Sequence, residues 1–145
     1  MERDNIIEQI KENDIADLHR LLKTALDKDI SYERMQDLYK RADADKDIYV
    51  LGYYVKDVLV GTLTLNILTL LAGECATIWN VAVKDEYRNL GIASKLMNAA
   101  EEIVRSRENV AKIFLFSGVH RQGAHALYRK FGYDENVYKP FVKEL

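Results

Sequence analysis

One proline, one cysteine and seven scattered glycines leave this chain little from which to build a linker or a disulfide framework. A lone Cys75 cannot form an internal disulfide and suits a reducing compartment, so a cytoplasmic location is expected. It falls in a strand-like run, where a free cysteine is usually a small buried apolar residue. Basic excess is missing too: the formal charge is −2, which excludes the broad Lys/Arg footprint of a nucleic-acid binder. No apolar run is long enough for a confident membrane span. Residues 58–73 carry no charge, yet Thr62, Thr64 and Asn66 alternate with Leu63, Leu65 and Ile67, and a period of two marks a strand. Met1-Glu2-Arg3-Asp4 is followed by no apolar stretch of the kind a signal peptide needs. The three histidines lack metal-site spacing, so no metal is expected. No repeat or low-complexity tract interrupts the chain.

What remains is ordinary for a soluble globular protein: 48% apolar and 30% charged residues. Its 145 residues are read as a single domain, 1–145, able to bury about 70% of the unfolded surface. Charge is uneven. Residues 1–73 hold 10 Lys/Arg against 14 Asp/Glu, and residues 74–145 hold 11 against 9. That split suits an anionic ligand in the second half and a cationic one near the first.

Hydrophobic spacing predicts the elements in turn. A strand covers residues 5–10, and Asp14 caps a helix with Ile15, Leu18, Leu21, Leu22, Ala25 and Leu26 on one face. Ser31 caps a second helix carrying Met35, Leu38, Tyr39 and Ala42. Residues 48–55 and 58–69 form an antiparallel hairpin about Lys56-Asp57, and residues 74–83 form a further strand. A helix covers 90–106, and an almost wholly apolar strand over 110–116 is expected to be buried on both faces. A final helix spans 121–131 and stops at Gly132, and residues 133–145 supply a last strand with Pro140 at an edge or bulge. The fold class is therefore mixed α/β: a mostly antiparallel sheet in which strand 74–83 crosses over to a parallel strand 110–116.

The segment from Val81 to Ala93 carries the most chemistry. A strand breaks into a polar turn and then opens a helix, with Arg88 and Gly91 three residues apart and Ala93 two further on. Free N–H groups at a helix start, with the positive end of its dipole, form an anion site, usually for phosphate. Gly91 allows close approach because it has no Cβ, and Arg88 adds a charge-assisted contact. Walker-type Lys and Gly-x-Gly-x-x-Gly spacing are both absent.

Some 35 residues on lies Ala124-His125-Ala126-Leu127-Tyr128-Arg129-Lys130-Phe131-Gly132-Tyr133. Together the two segments resemble the signature motifs of the GNAT superfamily of N-acetyltransferases: the Arg/Gln-x-x-Gly-x-Gly/Ala pyrophosphate loop and the Leu-Tyr-x-x-x-Gly-Phe/Tyr segment. The element order is similar from residue 5 to the C-terminus, which implies a GNAT-like acyl-CoA N-acyltransferase fold with a central, splayed parallel strand pair. The resemblance implies acetyl-CoA as co-substrate, with its pantetheine arm between the splayed strands and along Val81, Ala82 and Val83. It assigns the pyrophosphate to amides from Arg88 to Ser94, through Asn89, Leu90, Gly91, Ile92 and Ala93. Gly123, Ala124 and Tyr128 are assigned to the thioester.

Acetyl transfer by direct attack through a tetrahedral intermediate needs a neutral amine, a stabilised oxyanion and a protonated leaving thiolate. Tyr128 is the expected acid, since a phenol of pKa about 10 keeps its proton at neutral pH. The plainer alternative is a packing aromatic with its hydroxyl bonded. A backbone N–H near Asn80 or Val81 is the family-like oxyanion donor. Glu74, at the start of its strand, is the candidate base acting through water, or else a solvated strand-end carboxylate. Trp79 and Asn80 are candidate acceptor-binding residues, though a bulge would upset strand parity there.

His120 precedes the last helix near the expected cofactor path, and His125 fits a supporting role better than a catalytic one. Arg121 departs from the family, where many relatives carry an Asn. The expected acceptor is a small-molecule primary amine, entering past Tyr32, Glu33, Tyr39, Asp43, Asp45 and Asp47. Alternatives are a protein or peptide amine, or a non-catalytic acyl-CoA-binding regulatory module. A homodimer stays open.

Overall fold

In the computed structural model, which describes residues 2–145, β1 (Ile6–Gln9) is followed by α1 (Ile15–Leu26) and α2 (Tyr32–Asp43). Then come β2 (Ile48–Val55), β3 (Val58–Leu70), β4 (Gly73–Val83), α3 (Ile92–Arg105), β5 (Val110–Leu115) and α4 (Gln122–Lys130). The chain divides into two compact units, one ending at Leu115 and the other running from Phe116 to Leu145. In the first, five strands are ordered β1-β2-β3-β4-β5, antiparallel except for the parallel pair β4–β5.

Local chemistry explains most of these elements. Lys56 and Asp57 both take positive φ, 48° and 64°, as a two-residue hairpin with the sheet's twist requires. That backbone is costly for non-glycine residues. Two contacts offset it: Asp4 Oδ1 accepts from the Lys56 amide at 2.8 Å, and the Asp57 amide donates to the Arg3 carbonyl at 2.6 Å. Ser31 Oγ caps α2 by accepting from the Arg34 amide at 3.1 Å. Neighbouring strand residues face opposite ways, so Tyr54 packs with Ile15, Leu18, Leu21, Leu22 and Met35 of α1 and α2. Tyr53 instead meets Lys95 of α3, Nζ to hydroxyl 3.2 Å. Helix α3 lies close on β3: a Cβ at Gly61 would stand 2.9 Å from Ile92 Cγ2.

Four expectations are corrected. Residues 133–145 form no strand. The parallel pair therefore closes one side of the five-strand order instead of lying at its centre. Strand β5 is not buried on both faces, because Ala111 and Lys112 are exposed. Asp14 stands at the N-cap position of α1 without capping it.

Its carboxylate is engaged elsewhere. Buried Asp14 accepts from the Tyr54 hydroxyl at 2.8 Å, from Arg3 at 3.0 and 3.2 Å, and from the Lys11 amide at 3.3 Å. The Arg3 guanidinium also lies over the Tyr54 ring, 3.9 Å from its centre. Burial alone would raise the Asp14 carboxyl, but the hydrogen bonds from Arg3, Tyr54 and Lys11 outweigh it and hold it below its usual value. Burial, and then the Asp14 carboxylate, push the Tyr54 phenol well up, so it stays a donor.

Because the folded-state value is depressed, this stabilisation is complete above about pH 4, where the unfolded carboxyl titrates. It is lost as pH falls through the lower, folded value. Asp14→Asn should cost about 2 kcal/mol at neutral pH, in urea unfolding, and flatten the decline of stability in acid. An unchanged acid slope would remove Asp14 from that role.

Candidate active site

Strand β4 changes character along its length. Its parallel ladder with β5 runs from Glu74↔Val110 to Ile78↔Leu115 and stops there, while β4 continues through Val83. Beyond that point β4 bulges against β3. Thr64 pairs with Trp79 and Thr62 with Ala82, so Leu63 opposes both Asn80 and Val81. Asn80 takes a left-handed φ of 56°, which an Asn tolerates better than most residues. The bulge leaves Trp79 and Asn80 exposed and turns Val81 and Ala82 into the core. It therefore sets which residues of this strand face outward. The Trp79 ring N–H donates to Thr77 Oγ1 at 2.9 Å.

After Val83 the Lys84 amide bonds the Val60 carbonyl at 2.8 Å, and a single 3-10 turn, Asp85–Tyr87, redirects the chain. Asn89 and Gly91 both take left-handed backbone, φ 64° and 79°. Residues 88–91 are exposed, and buried Ile92 anchors the first turn of α3. The Lys95 amide bonds the Gly91 carbonyl at 3.0 Å, the first regular bond of the helix. No side chain caps α3 among the described residues, and its first turn holds no acidic residue. The amides of Ile92, Ala93 and Ser94 precede the first residue that can find an i−4 carbonyl, so an anion is their natural partner. A Cβ at Gly91 would meet nothing within 4 Å. Glycine is needed here for its φ, since nothing crowds its α-carbon. Arg88 bonds Asp85 of its own turn at 3.1 Å. Such an exposed pair is worth about 0–1 kcal/mol, weak enough for an arriving phosphate to take the guanidinium over.

Not every predicted residue reaches this end. Glu74 stands at the start of β4, 3.9 Å from Arg107, which bonds Asp47 at 2.7 Å. Six residues separate Glu74 from Asn80, roughly 20 Å of strand, so the structure does not bring it to the bulge or to the helix start. Of the acidic and aromatic acceptor candidates, Tyr39 donates to the Ile10 carbonyl at 2.9 Å, and Asp45 Oδ1 accepts from the Asp47 amide at 2.9 Å. With Asp47 engaged by Arg107, these three hold the fold. Tyr32 meets the His19 ring edge-on at 5.8 Å.

In the second unit Tyr128 is buried on α4, 6% exposed, while a Cβ at Gly123 would meet nothing within 4 Å. Burial pushes the Tyr128 phenol up, opposed by the charge of Arg121 and a hydrogen bond from it. His125 Nε2 lies 2.9 Å from the Gly118 carbonyl, so that nitrogen carries its proton and ties the loop before α4. Gly132, φ 90°, ends the helix, and the Tyr133 amide returns to the Tyr128 carbonyl at 3.0 Å. The sequence reading left the role of Arg121 open; in the structure its charge bears on the Tyr128 phenol. Among the described residues no three or more His, Cys, Asp or Glu groups gather as a metal site, and no helix is long and apolar enough to cross a membrane.

Fold and helix start together define an α/β protein with an exposed, uncapped helix start just past its parallel strand pair. The sequence profile described as the Acetyltransferase (GNAT) family matches residues 13–133, and the chain belongs to that family. An N-alpha-acetyltransferase of Sulfurisphaera tokodaii is 29% identical over 92 residues, covering 63% of this chain and 54% of that protein. The chain thus spans about half the length of the curated relative it matches. A transcriptional regulator from Bacillus halodurans shares the fold with a TM-score of 0.84 at 19% identity, over 97% of this chain and 99% of the other. The apo aminoglycoside antibiotic 6'-N-acetyltransferase from Acinetobacter haemolyticus gives 0.79 at 18%, over 97% and 99%.

The left-handed requirement at Gly91 is open to a direct test. Gly91→Val should lower stability by about 1–2 kcal/mol in urea unfolding, and Gly91→Asn by clearly less. Equal losses for the two would mean that φ is not what selects glycine.

Proposed function

We propose that this protein is an acetyl-CoA-dependent N-acetyltransferase acting on the primary amine of a small molecule, with residues 1–145 as its acetyltransferase domain. The observation that carries the reading is the uncapped start of α3 at left-handed Gly91, directly after the bulged end of β4. The GNAT family generally uses acetyl-CoA, and the residues present fit it: open space at Gly91, amide donors through Ser94, and a guanidinium at Arg88 held only by a surface pair.

Acetyl-CoA supplies the thioester; the chain supplies position and protons. Amides from Arg88 to Ser94 hold the pyrophosphate, and Val81, Ala82 and Val83 hold the pantetheine arm. An amide at the Asn80–Val81 bulge donates to the oxygen on which negative charge develops. Resemblance to the family assigns Gly123, Ala124 and Tyr128 to the thioester. Tyr128 keeps its proton at neutral pH and gives it to the leaving sulfur. Trp79 and Asn80, both exposed by the bulge, meet the acceptor. Glu74 is not retained as the base, because Arg107 and the length of β4 separate it from that end.

Aminoglycoside acetyltransferases among the proteins sharing this fold support a small-molecule acceptor. The N-alpha-acetyltransferase relative favours a second reading, an α-amine acceptor. A panel of aminoglycosides, polyamines, amino acids and peptides, followed by release of free coenzyme A, separates the two. Tight binding of acetyl-CoA with no transfer to any amine would favour a regulatory acyl-CoA-binding module instead. Tyr128→Phe should reduce kcat about 10²-fold with the affinity for acetyl-CoA, measured by calorimetry, nearly unchanged. Unchanged turnover would dismiss the phenol as the acid.

A further inference from the structure

Strand β3 has two chemically different faces, and the polar one ends in an unsatisfied group. Leu63, Leu65 and Ile67 turn one way and are buried. Thr62, Thr64 and Asn66 turn the other way. Thr62 lies in the core opposite Ala82, and its hydroxyl donates to the Leu51 carbonyl at 2.8 Å. Farther along, Thr64 pairs with Trp79 and Asn66 with Thr77, so these four share a face. The bond from the Trp79 ring N–H to Thr77 Oγ1 agrees with that placement.

Asn66 stands apart within this strip. Its Oδ1 is shielded from solvent and has no hydrogen-bond partner among the described residues. A buried amide oxygen left in this way is costly, and native structures seldom keep one without a use.

The rest of the strip defines what that oxygen can take. A carbonyl accepts and cannot donate, so its partner brings an N–H or an O–H. None of the four side chains is charged. Glu74, the nearest acid along β4, is out of phase with Thr77 and Trp79, hence on the other face, and stands beside Arg107. An ammonium brought here would lose its water without gaining a counter-charge, so a neutral hydroxyl suits the site. Exposed Trp79 offers an aromatic face to the carbon skeleton that bears it. Asn80, at the bulge, lies three residues beyond Thr77, roughly 10 Å along the strand. A molecule whose amine reacts at the bulge reaches Asn66 only with a hydroxyl several bonds from that nitrogen.

We infer that Asn66 is a specificity-determining residue of the acceptor site, taking a hydroxyl of a hydroxylated primary amine while Trp79 lies against that molecule's carbon skeleton. This role rests on the small-molecule amine proposed above and on the place given there to Trp79. Before the ligand comes the oxygen is turned inward; rotation about the last torsion of the side chain, which is broad, brings it to the hydroxyl. Asn66 makes no bond to the reacting nitrogen, so it governs which amine is chosen and leaves the chemical step alone.

Matched amines decide the matter: the most active hydroxylated amine of the acceptor panel, its single-deoxy analogues, the parent protein, Asn66→Leu and Asn66→Asp. With the parent, one deoxy analogue should lose about 10–100-fold in kcat/KM. Asn66→Leu should lose as much with the hydroxylated amine, through KM for that amine, with kcat and KM for acetyl-CoA held. With that deoxy analogue it should lose nothing further. Asn66→Asp, which keeps an accepting oxygen, should recover part of the loss. The thermal unfolding midpoint of Asn66→Leu should stay at or above the parent's, because no bond within the chain is removed. A clear fall in that midpoint means that Asn66 holds the fold, and overturns the role in selection. Equal losses for hydroxylated and deoxy amines in Asn66→Leu, or none for either, overturn it too, as does a parent that uses hydroxyl-free amines equally well. Transfer by the parent to no amine would instead defeat the proposed function. Calorimetry of the same amines with the parent and Asn66→Leu would then decide on Asn66 alone, and binding of none of them overturns its role.

Discussion

Strand β4 is held by two incompatible pairing rules, and the rest of the site follows from how it satisfies both. Along Glu74–Ile78 it is antiparallel to β3 on one side and parallel to β5 on the other. A parallel neighbour must be reached by a crossover, so α3 has to begin near the end of β4 and travel back along the sheet. The start of that helix is consequently delivered just past the strand's C-terminal end. The Asn80 bulge then breaks the alternation, exposing two consecutive residues and burying the next two. One irregularity thus creates both a face for a ligand and a dry anchor behind it.

The exposed turn is tolerable because its surroundings are well held. Residues 88–91 make few internal contacts and include two left-handed positions, an unfavourable local arrangement. Immediately after them Ile92, Leu96 and Met97 are buried, and Gly61 lets α3 lie against β3. Deeper in the first unit, the Asp14 carboxylate joins Arg3, Tyr54 and the Lys11 amide. It fastens the segment before β1, the start of α1 and strand β2 to one another. Rigid packing behind and an uncapped turn in front are the combination an anion site requires, since donors kept in place need no reorganisation when the ligand arrives.

Much of this was legible in the residues alone. Periodicity placed α1, α2, the β2–β3 hairpin, β4 and α3 to within a few residues, because each has one apolar face and a local start or stop signal. The helix start at Gly91 was legible for the same reason: strand, polar turn, glycine and helix are consecutive. Reading failed where the outcome depends on distant partners. An apolar run at 110–116 looked buried on both faces, but the number of faces covered depends on what packs there. Residues 133–145 have strand composition and form none. Asp14 looked like a helix cap, yet Arg3 and Tyr54, far away in sequence, compete for its oxygens with charge-assisted and buried bonds stronger than a cap.

The sequence by itself determined most of the strands and helices, that a glycine-led helix start follows β4, and which family's motifs it carries. These are local matters, set by spacing within one element or by neighbouring residues. Only the tertiary structure decided that Asn80 bulges, that Glu74 lies at the far end of its strand beside Arg107, and that Asp14 serves Arg3 and Tyr54. Each of those depends on register, on strand length or on partners distant in sequence. Side-chain chemistry is written residue by residue, whereas the meeting of side chains is settled only once the backbone has chosen its path.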